Sequence, residues 1–190
     1  MPALTTALEA LRNGEIIGLP TDTVYGIAAD PMQRSAVERL FAAKRRAGIN
    51  PIPILASTIA DVRRVAVIDD DVAVLAERHW PGGLTLILAR GSGVPEWIGD
   101  PKRNTVGVRI PDHPLALEVL AAAGPLAVTS ANRSGAKPAL DVIGAQEVFG
   151  GSVAAYLPGS GRGGAASTVV DLSGDKPKVL RKGPVVWAAS

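Results

Sequence analysis

Leu4, Leu8 and Leu11 fall on one stripe at helical spacing, and Asn13-Gly14 ends the run, which predicts a first helix over about Ala3–Arg12. The apolar stretch Glu15–Leu19 predicts a strand. It breaks at Pro20 into Thr21-Asp22-Thr23, and apolar residues resume at Val24 through Ile27. Ser35-Ala36-Val37-Glu38 has capping-box spacing and opens a helix carrying Val37, Leu40 and Phe41 and ending near Lys44. A short strand is expected around Ile52–Ala56. Thr58-Ile59-Ala60-Asp61 is a second capping box, ahead of a helix over about Ile59–Ala66, and Asp69 or Asp70 caps a further helix to about Arg78.

Trp80-Pro81-Gly82-Gly83 turns the chain into a strand at Leu84–Ala89. Gly, Pro and charge make 91–104 a loop, and Thr105–Ile110 is a strand. Pro114 suits the first turn of a helix running to about Ala122. Leu126–Thr129 is a strand, Asp141–Val148 a helix, and Val153–Leu157, Ser167–Leu172 and Lys178–Arg181 close the chain as strands. Strands alternate with helices and then cluster at the end. That pattern gives an α/β fold with a mixed sheet, as a single domain over residues 1–190.

Three small polar residues between two apolar runs, Thr21-Asp22-Thr23, are either a turn or a row of hydroxyls at a strand end. Three more polar segments follow apolar strands: Arg109 to Asp112, Ser130 to Gly135, and the segment from Leu157. Open α/β sheets bind ligands beyond strand ends, so four such segments together predict a shared pocket. Lys44-Arg45-Arg46, at what reads as an exposed helix end, would add positive charge to it. Gly159-Ser160-Gly161-Arg162-Gly163-Gly164 fits G-x-G-x-x-G. That fingerprint needs a helix after it, whereas Ser167–Leu172 is β-rich, so a Rossmann site is rejected. The glycine run is either a plain turn or a loop closing over phosphates.

Composition narrows the chemistry. Apolar residues make up 47% of 190, enough for a core, with aromatics at only 4%. No cysteine is present, which excludes disulfides, thiol catalysis and thiolate zinc sites. Two histidines, His79 and His113, are too few for a multi-histidine metal site. No secretory pattern or membrane-length apolar run occurs, so a cytoplasmic protein without membrane attachment is expected. The net charge of +2 is mild, and local basic clusters suit a polyphosphate or RNA better than the total does.

The ordered motifs PTDTVYG at 20–26, Lys44-x-Arg46, PGGLTLIL at 81–88, VGVRIPDHP at 106–114, TSANRSG at 129–135 and STVVDL at 167–172 resemble the YrdC family. Leu180-Arg181-Lys182-Gly183 resembles that family's final strand. The resemblance spans nearly the whole chain and corresponds to the short, single-domain form. It implies a twisted open mixed sheet flanked by helices with a positively charged concave groove. It also implies L-threonylcarbamoyladenylate synthase activity. Threonine, bicarbonate and ATP, the last bringing its own Mg²⁺ without a dedicated protein metal site, would give threonylcarbamoyl-AMP and pyrophosphate. The product would pass to downstream tRNA threonylcarbamoyl-transfer proteins that modify adenosine 37.

Carried over by position, Thr23, Tyr25, Arg109, Ser130 and Ser167 resemble the threonine site, with Tyr25 as a wall and Arg109 on the carboxylate. Lys44 and Arg46 resemble the catalytic phosphate-binding pair. Asn50, Asn132, Ser134 and Arg181 resemble nucleotide contacts. Ala47 replaces a common proline after Lys44-x-Arg46, and Leu55 stands where many members carry a histidine. Asp22 either joins the pocket floor or braces the turn through backbone N–H bonds. The competing reading is a non-catalytic module of the same fold that binds double-stranded RNA or tRNA weakly, through phosphates.

Overall fold

The computed structural model describes residues 2–45 and 51–187. Among these residues the α-helices are α1 (Pro2–Arg12), α2 (Arg34–Lys44), α3 (Ile59–Val65), α4 (Asp70–Glu77), α5 (Pro114–Ala123) and α6 (Val142–Phe149). The strands are β1 (Ile17–Leu19), β2 (Gly26–Ala29), β3 (Ile54–Leu55), β4 (Leu84–Ala89), β5 (Thr105–Arg109), β6 (Leu126–Ser130), β7 (Ala155–Tyr156), β8 (Thr168–Asp171) and β9 (Lys178–Arg181). They form one mixed sheet in the order β7-β1-β2-β6-β3-β5-β4-β8-β9. Among the described residues no helix is long and apolar enough to cross a membrane.

Successive side chains on a strand point to opposite faces, and here that alternation separates core from site. Leu84, Leu86 and Leu88 of β4, Val106 and Val108 of β5, Ala127 of β6 and Val170 of β8 enter the larger core. There they meet Leu40 of α2, Val62 of α3, Ala76 of α4 and Phe149 of α6. Truncating such a buried leucine to alanine costs about 2–5 kcal/mol. On the other face α1 and α5 pack through Leu11 and Leu120 onto Ile17, Leu19 and Leu126. Those two helices cover one part of that face only. Thr85, Ile87, Thr105, Gly107, Arg109 and Val169, the alternate residues of β4, β5 and β8, face a cavity instead.

Most predicted elements are present, β4 and β9 with the expected bounds. Thr58 caps α3 by accepting from Asp61 N, Asp69 caps α4, and Asp141 caps α6. Ser35 does not cap α2. Gln33 holds that position, and its side-chain amide donates to Leu11 O and Asp30 Oδ2, so contact with the end of α1 sets where the helix starts. The apolar run after Thr23 is a further strand, β2, which the pattern did not assign. The strand expected at Ile52–Ala56 shrinks to two residues, since Pro51 and Pro53 bring no N–H to the ladder. Val153–Leu157 likewise narrows to Ala155–Tyr156.

Candidate active site

The cavity has a volume of about 430 Å³. Its floor is nearly flat at β5, because Gly107 has no side chain between its neighbours. A Cβ there would stand 3.3 Å from Pro53 Cβ and 3.5 Å from Thr85 Cγ2. Leu55, the position matched to a family histidine, is part of the apolar lining with Ile87, Val128 and Val169.

One end of the cavity is a closed hydrogen-bond network. Arg109 is 5% exposed and comes from the end of β5. Its Nη2 donates to Asp22 Oδ1 at 2.5 Å, its Nη1 to Thr23 Oγ1 at 2.9 Å and its Nε to Gly82 O at 2.9 Å. Thr21 Oγ1 bonds Thr23 Oγ1 at 3.0 Å and donates to Val24 O at 2.7 Å. The Thr-Asp-Thr segment is therefore a turn whose two threonines line the cavity. Asp22 takes neither expected role: it braces a guanidinium 87 positions away. Burial pulls the Arg109 guanidinium below its ordinary value, Asp22 pulls it back, and the charge of Arg181 lowers it further. Three of Arg109's five N–H donors are engaged in these bonds, so two more are available to an anion.

Arg181 supplies a second guanidinium. Its Nε donates to Ser167 O at 2.9 Å and its Nη2 to Ser167 Oγ at 3.0 Å, while Ser167 Oγ bonds Thr85 Oγ1 at 2.8 Å. Burial lowers its pKa also. Arg109 is buried and Arg181 stands on an exposed strand, and two cations on one cavity favour an anionic ligand. At the far end Arg103 Nη2 bonds Asp171 Oδ2 at 2.7 Å and Ser173 Oγ at 2.9 Å. Sequence reasoning missed Thr85, Arg103 and Asp171. Alternation along β4 and β8 points to Thr85 and Asp171, since both lie opposite in parity to core leucines and valines.

Lys44 is not at an exposed helix end, as expected from its neighbours Arg45 and Arg46; it is 3% exposed. Its ammonium donates to Ser130 O at 2.6 Å, Asn132 O at 3.0 Å and Asn132 Oδ1 at 3.1 Å. It is buried because the loop after β6 folds over the end of α2. Ser130 lines the cavity, and its Oγ donates to Asn132 Oδ1 at 2.5 Å. Asn132 is thus a link between Lys44 and the cavity wall, not itself a lining residue. Ser134 is exposed, and its backbone N donates to Lys44 O at 3.0 Å. Arg46 and Asn50, and Ala47 between them, lie outside the described residues.

Tyr25 does not line the cavity as a wall. It is fully buried in the core, its hydroxyl donates to Leu157 O at 2.6 Å, and burial raises its pKa. The glycine run is neither a free turn nor a phosphate loop. Its Gly163 and Gly164 amides donate to Thr23 O and its Arg162 amide to Thr21 O, so those donors are spent on protein carbonyls. A Cβ at Gly161 would stand 2.6 Å from Val24 Cα, which explains the glycine there. The run straps the Thr21–Val24 turn in place and leads into β8, not into a helix.

Residues 9–183 match the Sua5/YciO/YrdC family, described as "Telomere recombination". A protein of Mycobacterium tuberculosis (strain H37Rv) is 39% identical over 184 residues, covering 96% of this chain and 84% of its own length. The threonylcarbamoyl-AMP synthase of Marinobacter nauticus is 32% identical over 173 residues, covering 89% of this chain and 90% of its own. Among solved structures, P. abyssi Sua5 complexed with L-threonine matches with a TM-score of 0.90 at 36% identity over 95% of this chain. The chain spans 54% of that longer protein.

Proposed function

Because the chain belongs to the Sua5/YciO/YrdC family, we infer that it is a threonylcarbamoyl-AMP synthase, joining L-threonine, bicarbonate and ATP with release of pyrophosphate. The observation that carries this reading is one cavity lined by Arg109 and Arg181, with Arg103 paired to Asp171 at its far end, and by the hydroxyls of Thr23, Thr85, Ser130 and Ser167. An amino acid that offers a carboxylate and a hydroxyl matches that set. So does the family relationship to a protein solved with L-threonine bound.

In this mechanism Arg109 takes the threonine carboxylate with its remaining donors, oriented by Asp22. Thr23, Ser130 and Ser167 read the hydroxyl. The amine adds to carbon dioxide derived from bicarbonate and loses a proton, giving a carbamate. A carbamate oxygen then forms a bond to the α-phosphorus of ATP as the bond to pyrophosphate breaks. The protein's contribution is positioning and charge neutralisation. Arg181 faces the nucleotide, and Lys44 and Arg46 serve its outer phosphates. For Lys44 to do so, a phosphate oxygen replaces one of the oxygens of Ser130 or Asn132. Mg²⁺ arrives on ATP, where it offsets charge on the leaving pyrophosphate; such ions commonly rest on phosphates and keep their waters.

The product is a reactive mixed anhydride, which fits transfer of the threonylcarbamoyl group to tRNA by downstream proteins. Any direct RNA contact is weak and electrostatic, with log affinity falling linearly against log salt. The discriminating experiment is ATP affinity with and without threonine. Tighter ATP binding when threonine and bicarbonate are present supports the synthase. RNA binding with no response to threonine supports the non-catalytic module.

A further inference from the structure

The last carbonyls of α2 are each occupied. Ala42 O accepts from Arg45 N at 2.9 Å, where Arg45 has the left-handed φ of 50°. Lys44 O accepts from Ser134 N at 3.0 Å. Ala43 O accepts from Arg133 Nη1. The same guanidinium donates through Nη2 to Val148 O at 3.0 Å, in the last turn of α6, and lies 5.1 Å from the Phe149 ring centroid. Arg133 therefore bridges the C-terminal ends of two helices. Orphan carbonyls and negative partial charge gather there, and a planar fork can reach two acceptors at once where an ammonium cannot match it.

Lys44 sits in this junction, held from both ends. Its carbonyl and that of Ala43 are fixed by Ser134 and Arg133, and its ammonium by Ser130 and Asn132. Arg133 does not line the cavity. It borders a separate hollow beside Glu15 and Arg39, so its guanidinium acts on the site through the ends of α2 and α6, while its carbonyl accepts from Asn132 Nδ2 at 2.8 Å.

We propose that Arg133 is a positioning residue for Lys44, fixing the last turn of α2 so that the ammonium stands behind the cavity-lining Ser130. This rests on the reading that Lys44 serves the nucleotide phosphates. Arg133→Met keeps the length of the side chain and its packing on Phe149 but removes both donated bonds. Coupling within one network typically changes an equilibrium by about 5–30-fold.

The test is a double-mutant cycle with Arg133→Met and Lys44→Met, read as ATP affinity and as kcat/KM for ATP, well below each variant's melting temperature. Arg133→Met is expected to weaken ATP by about 5–30-fold, with Arg133→Lys falling between it and the wild type. Added to Lys44→Met, it is expected to change nothing further. Multiplication of the two losses would overturn the proposal, because a merely structural role weakens the site whatever residue stands at position 44. ATP binding by Lys44→Met equal to wild type would also overturn it. If Arg133→Met does not fold, Arg133→Lys with Lys44→Met completes the same cycle. A wild-type protein that binds ATP but forms no product contradicts the synthase reading, while the binding cycle still decides the role of Arg133.

Discussion

Arg109 Nη2 stands 2.5 Å from Asp22 Oδ1, with 7% of the arginine side chain and 12% of the aspartate exposed. A pair this withdrawn from water makes its largest contribution when both partners are present. Removing one leaves an unpaired buried charge, at a cost of about 3–5 kcal/mol. Asp22→Ala is expected to lose stability on that scale in chemical denaturation. The folded fraction should also show a raised KM for threonine, since Arg109 loses its orienter. Native-like stability would mean that the pair is solvated and Arg109 is held by Gly82 and Thr23 alone.

Amino-acid choice follows from the hydroxyls around Arg109. Serine keeps the substrate hydroxyl and loses a methyl, a difference that an apolar pocket reads as about 10–200-fold. Valine keeps the shape and leaves polar pocket groups unpaired, which can be rejected by about 10⁴–10⁵. Product formation at fixed ATP and bicarbonate should rank threonine, then serine, then valine, with the larger gap at valine. Valine matching serine would mean that Thr23, Ser130 and Ser167 do not read the hydroxyl.

Gly107 tests whether the flat floor is used. A Cβ at that position stands 3.3 Å from Pro53 Cβ and 3.5 Å from Thr85 Cγ2, a tight fit that requires a small shift of Pro53, so Gly107→Ala is expected to fold with a small loss of stability. Gly107→Leu would project into the cavity between Ile87 and Pro53. Loss of ligand binding at the melting temperature of the alanine variant is the expected result, measured by titration with ATP and threonine. Full affinity in the leucine variant would place the ligand elsewhere.

Asp171 gives the pH dependence. Burial alone would raise its pKa, but Ser173 and Arg103 outweigh that and hold it below the ordinary carboxylate value. A lowered folded pKa means the carboxylate contributes stability that is fully present above about pH 3.9, the unfolded value. It is lost as pH falls through the lower folded value. Asp171→Asn should therefore melt below wild type at neutral pH, with the gap closing only in strong acid. A gap that closes between pH 5 and 8 would point to a histidine instead.

Alternation along Leu84–Ala89 and Thr105–Arg109 made the sheet legible from sequence, because period-two burial is written in each strand separately. The hydroxyl-rich strand ends were legible for the same reason. What could not be read locally was pairing at a distance. Lys44 lies beside two arginines in sequence and reads as solvated, yet it is buried by a loop 86–88 positions away. Asp22 looks like a turn residue until β5 brings Arg109 to it. Tyr25 shares a motif with Thr23 but points to the opposite side, since its neighbours place it in the core beneath Leu157.

Threonylcarbamoyl-AMP synthesis is tested by mass spectrometry of the reaction of purified protein with ATP, Mg²⁺, bicarbonate and L-threonine. A species with the mass of threonylcarbamoyl-AMP, accompanied by equimolar pyrophosphate and absent when threonine or bicarbonate is omitted, is the predicted result. Pyrophosphate released equally without threonine, or no adduct from protein that binds both substrates, would contradict it.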